Sequence, residues 1–259
     1  MPKPSIVLVP GAWHVPAHYD RLSSYLAEHG YDVFVVALPS VLPKDGKFPD
    51  NLEPEIDAVR SVVTKQLDAG NDVVVVVHSY GALPGTSALK GLDKRTRAAA
   101  GHKSSVTAIA YMCSFLLPAG VSLLDGVGGK PHPIHDVRGD MLHVKAPGPA
   151  YLFYNDLTRE DAVTYTDMLL PQAWSVNQFP CTYAAWKDIP TFYLVCKRDN
   201  ALLLHEQRGM IDGARVAGAN IKAEQCDSGH SPFLSMVELT GDWVRRIAGE
   251  EIPSALESY

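Results

Sequence analysis

Ser79, His230 and Asp199 are the side chains whose types fit acyl transfer, and each directly follows a short apolar run. A serine hydroxyl is a weak nucleophile until a base takes its proton. A histidine can serve as that base when a carboxylate fixes its tautomer and stabilises its charged form. Ser79 sits in Val77-His78-Ser79-Tyr80-Gly81-Ala82, after the run Val73 to Val77 and before a helical pattern. A sharp turn there exposes the hydroxyl and aims the partial positive charge of a helix N-terminus at it. The turn needs small residues two positions to either side; Gly81 meets this and Val77 does not. Asp199 lies in Lys197-Arg198-Asp199-Asn200, past the run Thr191 to Cys196, and His230 in Asp227-Ser228-Gly229-His230-Ser231-Pro232, past Ile221 to Cys226. Asp227 is the nearest rival acid, but it shares a short loop with His230 and reads better as a turn former.

Acyl transfer also needs donors for a developing oxyanion. The backbone N–H of Tyr80 is one, and the segment Pro10-Gly11-Ala12-Trp13-His14 offers the second at Ala12, with Gly11 permitting the bend. Substrate contacts are expected at Gly11, Trp13, His14 and Trp174, although a tryptophan beside a strand is as often plain packing. His132, His135 and His143 match no zinc-ligand spacing and lack arranged carboxylates, so they are expected to be solvated or to face substrate rather than to hold a metal. No cofactor is called for.

These residues need a scaffold. Short continuous apolar runs recur at Ile6 to Val9, Val33 to Leu38, Val73 to Val77, Val106 to Cys113, Thr191 to Cys196 and Ile221 to Cys226. Such runs suit strands covered on both faces. Helical patterns alternate with them at Tyr19 to His29, Glu53 to Leu67, Gly81 to Leu92, Leu204 to Ala217 and Phe233 to Ala248. The alternation predicts an α/β fold with a doubly wound, mostly parallel sheet of about six strands. It stops between Phe115 and Asp188, where Gly, Pro and His are dense from Gly126 to Gly148 and a helical stretch follows from Thr158 to Leu170. The expected division is a core of residues 1–114 and 189–259, with residues 115–188 inserted as a helical cap over the C-terminal edge of the sheet.

A length of 259 residues with 46% hydrophobic and 20% charged residues fits a globular chain and excludes a coiled coil, a collagen-like fibre or a disordered polymer. The net charge of -6 and the lack of a Lys/Arg run argue against a nucleic-acid partner or an anionic membrane surface. No apolar stretch approaches the ~20 residues that cross a bilayer, and the first residues read as no export signal. Cys113, Cys181, Cys196 and Cys226 show no CxxC spacing, which suggests buried free thiols in a reducing compartment, hence a cytoplasmic location. The expected partner is a small molecule; a homodimer is compatible with the sequence, which does not fix an oligomeric state.

The chain resembles the α/β-hydrolase superfamily, and within it the small-molecule branch of plant methylesterases, hydroxynitrile lyases and related fungal and bacterial hydrolases. The resemblance rests on Gly11-Ala12-Trp13-His14 after the first strand, His78-Ser79-Tyr80-Gly81, Asp199 followed by Gln207, and Gly229-His230. Departures are Pro10, where that branch usually has His, and Val77 for Gly. The stretch Gly128-Gly129-Lys130-Pro131-His132 is similar to caps of hydrolases in fungal secondary-metabolite pathways. The resemblance implies a serine hydrolase cleaving an ester, thioester or lactone through an acyl-enzyme. Cap aromatics including Tyr151, Phe153, Tyr154, Tyr165, Phe179 and Trp186 suit an apolar or aromatic substrate, and equally a lid glued to its core. Two other classes use the same scaffold: a lyase or cyclase that takes only proton transfer from the triad, and a slow-turnover ligand receptor. Hydroxynitrile lyases of the branch carry a threonine where this chain has Gly11 and a lysine where it has Ser231, which favours hydrolysis.

Overall fold

The computed structural model describes residues 2–43 and 46–259. The main sheet holds seven strands: β1 (Ser5–Val9), β2 (Val33–Val35), β3 (Val73–His78), β4 (Val106–Met112), β8 (Thr191–Cys196), β9 (Ile221–Cys226) and β10 (Glu257–Ser258), in the order β10-β9-β8-β4-β3-β1-β2. All neighbours are parallel except β10, which runs antiparallel to β9. The valines of β3 are fully buried between β1 and β4, as a two-face-covered central strand requires.

Helices α1 (Asp20–Glu28), α2 (Glu53–Asp68), α3 (Ala82–Ala88), α4 (Lys94–Ala99), α8 (Leu204–Val216), α9 (Pro232–Ser235) and α10 (Val237–Ile247) connect these strands or follow them. α1 packs on α10, and α2 packs on α3. From β1 the chain moves outward to β2 and then returns to the other side of β1 for β3. The chain thus leaves β1 and β3 towards opposite edges of the sheet, which makes the C-terminal ends of these two strands the switch point where a crevice is expected.

Several elements depart from the sequence reading. β2 ends at Val35, so the apolar residues Val36 and Leu38 are buried in the connection that follows rather than in the sheet. The last helical pattern is split at Met236 (φ −134°, ψ 54°) into α9 and α10. The two-residue β10 is too short and polar to give an apolar-run signal. The segment between β4 and β8 has α5 (Leu123–Gly126), α6 (Pro149–Leu152) and α7 (Arg159–Asp167), but it also carries an antiparallel sheet, β5 (His135–Arg138), β6 (Met141–Val144) and β7 (Gln172–Ala173). Helix and small sheet thus share this segment, where the sequence reading expected helix alone.

Candidate active site

Ser79 opens a 3-10 turn between β3 and α3 and adopts φ 51°, the left-handed region that a non-glycine residue enters only when its surroundings enforce it. Packing supplies that enforcement. A Cβ on Gly81 would lie 2.3 Å from Pro10 O, and one on Gly11 would lie 2.7 Å from His78 Nδ1 and 3.2 Å from Ser79 Cβ, so the loops after β1 and β3 meet only because both positions are bare. Ser114 Oγ donates to Ser79 O at 2.6 Å and holds the turn from the β4 side. Val77, the bulky residue in place of the expected small one, fits because α3 offers a glycine beside it: a Cβ on Gly85 would come within 2.5 Å of Val77 Cγ1.

His230 follows β9 and Asp199 follows β8, two adjacent parallel strands. His230 Nδ1 lies 2.7 Å from Asp199 Oδ2, with both side chains almost completely buried. Asp199 Oδ1 accepts the Ala201 and Leu202 amides at 2.7 and 2.9 Å, so its other oxygen is committed to the histidine. Gln207 braces this loop from α8: Oε1 accepts Cys196 N–H at 3.0 Å, and Nε2 donates to Leu202 O at 2.7 Å. Asp227 instead pairs with Lys197 at 3.0 Å and is 69% exposed, away from His230. With Nδ1 held by Asp199, His230 Nε2 is the nitrogen free to exchange a proton.

Ser79, Tyr80, Ala12 and His230 border one pocket at the crevice. Ser79 Oγ makes no hydrogen bond among the described residues. The Ala12 amide likewise has no acceptor among the described residues. The Tyr80 phenol hydrogen-bonds Glu55, which is fully buried and also accepts Ser40 N–H at 3.2 Å. Burial pushes the Glu55 carboxyl above its ordinary range. The pair ties the residue after Ser79 to α2, a link with no local sequence signal because Glu55 and Tyr80 stand 25 residues apart.

Most of the remaining wall comes from the segment between β4 and β8, notably Leu123, Val127, Ile134, His135, Phe153 and Asn177, with Ala201 and Leu202 added from the loop after β8. Trp13 borders the pocket and also fastens that segment: its ring stacks on Phe153 with centroids 5.5 Å apart and its Nε1 donates to Leu142 O at 2.9 Å. Gly11, His14 and Trp174, expected at the substrate, do not border the pocket. Gly11 is used up in the contact with His78 and Ser79. His14 lies behind the wall, donating from Nδ1 to Ala12 O at 2.7 Å and accepting from Tyr154 OH at 3.1 Å. Trp174 packs edge-on against His135, centroids 5.9 Å apart. His132 and His135 face the pocket, while His143 is half-buried on β6. Of the other aromatics, Trp186 is buried under Leu117 O and Tyr151 and Phe179 are exposed, so most of them seal or decorate the lid rather than touch the cavity.

Behind the catalytic loops lies His78. Its Nε2 donates to His230 O at 2.9 Å, so Nδ1 accepts from Tyr19 OH at 2.7 Å, and Tyr19 OH in turn accepts Gly11 N–H at 3.0 Å. One chain of hydrogen bonds therefore joins the loops after β1, β3 and β9. Burial first, and then the neighbouring His230, lowers the His78 imidazole well below its ordinary value, which keeps it neutral in this relay. Cys113 Sγ also donates to His230 O at 3.2 Å, and burial pushes its thiol up to about 12. His78, Cys113 and His230 form a three-donor cluster, but these bonds already engage both nitrogens of His78 and leave the thiol protonated. All four cysteines are free and buried. Among the described residues, no helix is long and apolar enough to cross a membrane.

Sequence reasoning missed Asn155 and Asp156. Asp156 Oδ2 accepts Gly229 N–H at 2.7 Å and Ser228 Oγ at 3.0 Å, and Asn155 Nδ2 donates to Arg198 O at 2.9 Å. Both clamp the loops that carry His230 and Asp199, across sequence separations of 43 to 73 residues that no local pattern could reveal.

A family model described as the alpha/beta hydrolase family matches residues 6–242. The alpha/beta hydrolase nvfD of Aspergillus novofumigatus is 31% identical over 255 residues, 97% of this chain and 99% of that protein. A probable hydrolase, R7, of a Phoma species is 30% identical over 251 residues, 96% of this chain and 100% of its own length. Among solved structures, polyneuridine aldehyde esterase superposes with a TM-score of 0.76 at 13% identity, covering 95% of this chain and 99% of that one. A pyrethroid hydrolase from Sphingobium faniae does so with a TM-score of 0.73 at 20% identity, covering 96% and 98%. At these identities the two structures speak for the fold alone.

Proposed function

Because the chain belongs to the alpha/beta hydrolase family, we propose that it is a serine hydrolase that cleaves a carboxylic ester, thioester or lactone of a small apolar or aromatic molecule through an acyl-enzyme. The carrying observation is one pocket bordered by Ser79, His230, Ala12 and Tyr80, with the buried Asp199–His230 pair behind it. In this reading Ser79 Oγ attacks the carbonyl while His230 Nε2 takes its proton. Asp199 holds the imidazole and stabilises its charged form. The Ala12 and Tyr80 amides receive the oxyanion. His230 then gives the proton to the leaving group, and water repeats the sequence on the acyl-serine.

Hydrolysis is favoured over lyase chemistry by position 11. A threonine hydroxyl there would need a side chain where a Cβ already meets His78 at 2.7 Å. Ser231, where a lysine would stabilise a departing anion, is fully buried. The apolar walls formed by Leu123, Val127, Ile134 and Phe153 support an apolar or aromatic acyl or alcohol group. The names of the two relatives, both hydrolases, agree with this class.

A fluorophosphonate with the folded protein tests the proposal. Intact mass should rise by one adduct, mapped to Ser79 and absent in Ser79→Ala, and p-nitrophenyl esters or small lactones should be turned over only by the wild type. Normal turnover of a cognate substrate by Ser79→Ala would replace the acyl-enzyme with acid–base chemistry.

A further inference from the structure

Two polar side chains in the pocket wall have no use in the reaction above. Asn177 borders the pocket and is 1% exposed. Its Nδ2 donates to Trp174 O at 3.4 Å, which sets the orientation of the amide, and its Oδ1 has no partner among the described residues. His135 borders the same pocket between the rings of Trp13 and Trp174, centroids 5.8 and 5.9 Å away, and its Nδ1 is closed off from solvent with no partner among the described residues. Both belong to the segment between β4 and β8, whereas Ser79 and His230 come from the ends of core strands. A buried polar atom left unpaired costs roughly 1–3 kcal/mol, so two on a wall otherwise lined by Leu123, Val127, Ile134, Phe153 and His132 are expected to meet a ligand group.

We infer that Asn177 and His135 form a polar subsite for a hydroxyl on the substrate, remote from the scissile carbonyl, which donates to Asn177 Oδ1 and contacts His135 Nδ1. The inference deepens the serine-hydrolase reading and rests on the same pocket. Burial holds the His135 imidazole down at about 4, so it meets the hydroxyl as a neutral ring that can either accept or donate. The subsite explains how an apolar cavity selects: a wall built to pair with a hydroxyl rejects the analogue that lacks it, because binding the analogue leaves buried polar groups unpaired.

Calorimetric titration of the wild-type protein with 4-ethylphenol, 4-ethylanisole and ethylbenzene tests the subsite without turnover. The phenol is expected to bind roughly tenfold or more tightly than the other two. Asn177→Leu, similar in volume, should abolish that preference, and His135→Phe should reduce it. Equal affinities, or no hydroxyl-dependent binding in the wild type, would overturn the inference even if neither variant folds; so would a preference kept by folded Asn177→Leu. Fluorophosphonate labelling of the same preparations reads the other proposal separately. Labelled Ser79 without a hydroxyl preference sinks only the subsite, and a hydroxyl preference without labelling sinks only the acyl-enzyme.

Discussion

Asp156 Oδ2 lies 2.7 Å from the amide nitrogen of Gly229, so a carboxylate from the segment between β4 and β8 fixes the residue next to His230. Asn155 beside it holds the carbonyl of Arg198, one residue before Asp199. The segment that lines the pocket therefore also holds the loops that carry His230 and Asp199.

Removing that carboxylate should act on catalysis more than on binding. Asp156→Ala leaves the Gly229 N–H without its acceptor, a loss of about 1.5–3 kcal/mol for a bond to a charged group. We expect kcat to fall roughly 10–100-fold with KM little changed, and Asp156→Asn, which keeps an acceptor oxygen, to recover most of it. Steady-state kinetics with circular dichroism as a fold control decides; an alanine variant with wild-type kcat would show that the loop holds His230 unaided.

The two candidate acids differ in burial. Asp199 is closed off against His230, and Asp227 is out at the surface with Lys197. Asp199→Asn is expected to lower kcat by roughly three orders of magnitude, somewhat less than Ser79→Ala and His230→Ala. Asp227→Asn should stay within about twofold of wild type. Inactivation by the second substitution and not the first would reassign the acid.

Legibility in the sequence followed the range of the interactions. Strands β1, β3, β4 and β8 each hold a near-continuous apolar run, so burial on both faces wrote them locally, whereas β9 (Ile221–Cys226) alternates apolar and polar residues with Lys222 exposed, so only part of it is buried. Ser79, Asp199 and His230, the proposed triad, were legible as candidates because each sits just past one of the strands β3, β8 and β9. The small sheet of β5, β6 and β7 could not: three of the four residues of His135–Arg138 are polar, and Gln172–Ala173 becomes a strand only by pairing with Met141 and Leu142. Gly11 and His14 were read as substrate contacts from their nearness to the oxyanion amide. Whether a residue beside that amide faces inward or backward depends on His78, Tyr19 and Tyr154, which arrive from elsewhere in the chain.

The exchange of a small residue between positions 77 and 85 gives a prediction whose sign is informative. Alanine in place of a helix-interior glycine ordinarily stabilises by roughly 0.5–1 kcal/mol. At Gly85 the new Cβ would sit 2.5 Å from Val77 Cγ1, and overpacking of this kind costs about 1–3 kcal/mol. Gly85→Ala should therefore destabilise, and Val77→Ala with Gly85→Ala should recover the loss, giving a favourable coupling in a double-mutant cycle by urea denaturation. Additive effects would show that α3 shifts away from β3 freely.

Acid sensitivity should come from histidines behind the site. Burial, and then neighbouring histidines, lowers His14 and His78 well below the ordinary histidine value, and burial also lowers His18. The unfolded chain takes up protons near pH 6.5 where the folded chain does not, so the unfolded state binds more protons in the window below that pH. Stability is then full above the unfolded value and is lost as pH falls towards the lowered folded values, by up to about 1.4 kcal/mol per pH unit for each such group. Glu55, raised by burial, has the opposite sign, and Glu250, lowered to about 2, loses its contribution only below the ordinary carboxylate range. The slope difference between wild type and a single variant isolates one histidine from these. His14→Gln removes a titrating ring while its amide can still donate towards Ala12 O, so its stability should fall less steeply than that of the wild type between pH 7 and 5 in urea titrations. Parallel slopes for the two proteins would show that His14 takes up its proton without unfolding the wall behind the pocket.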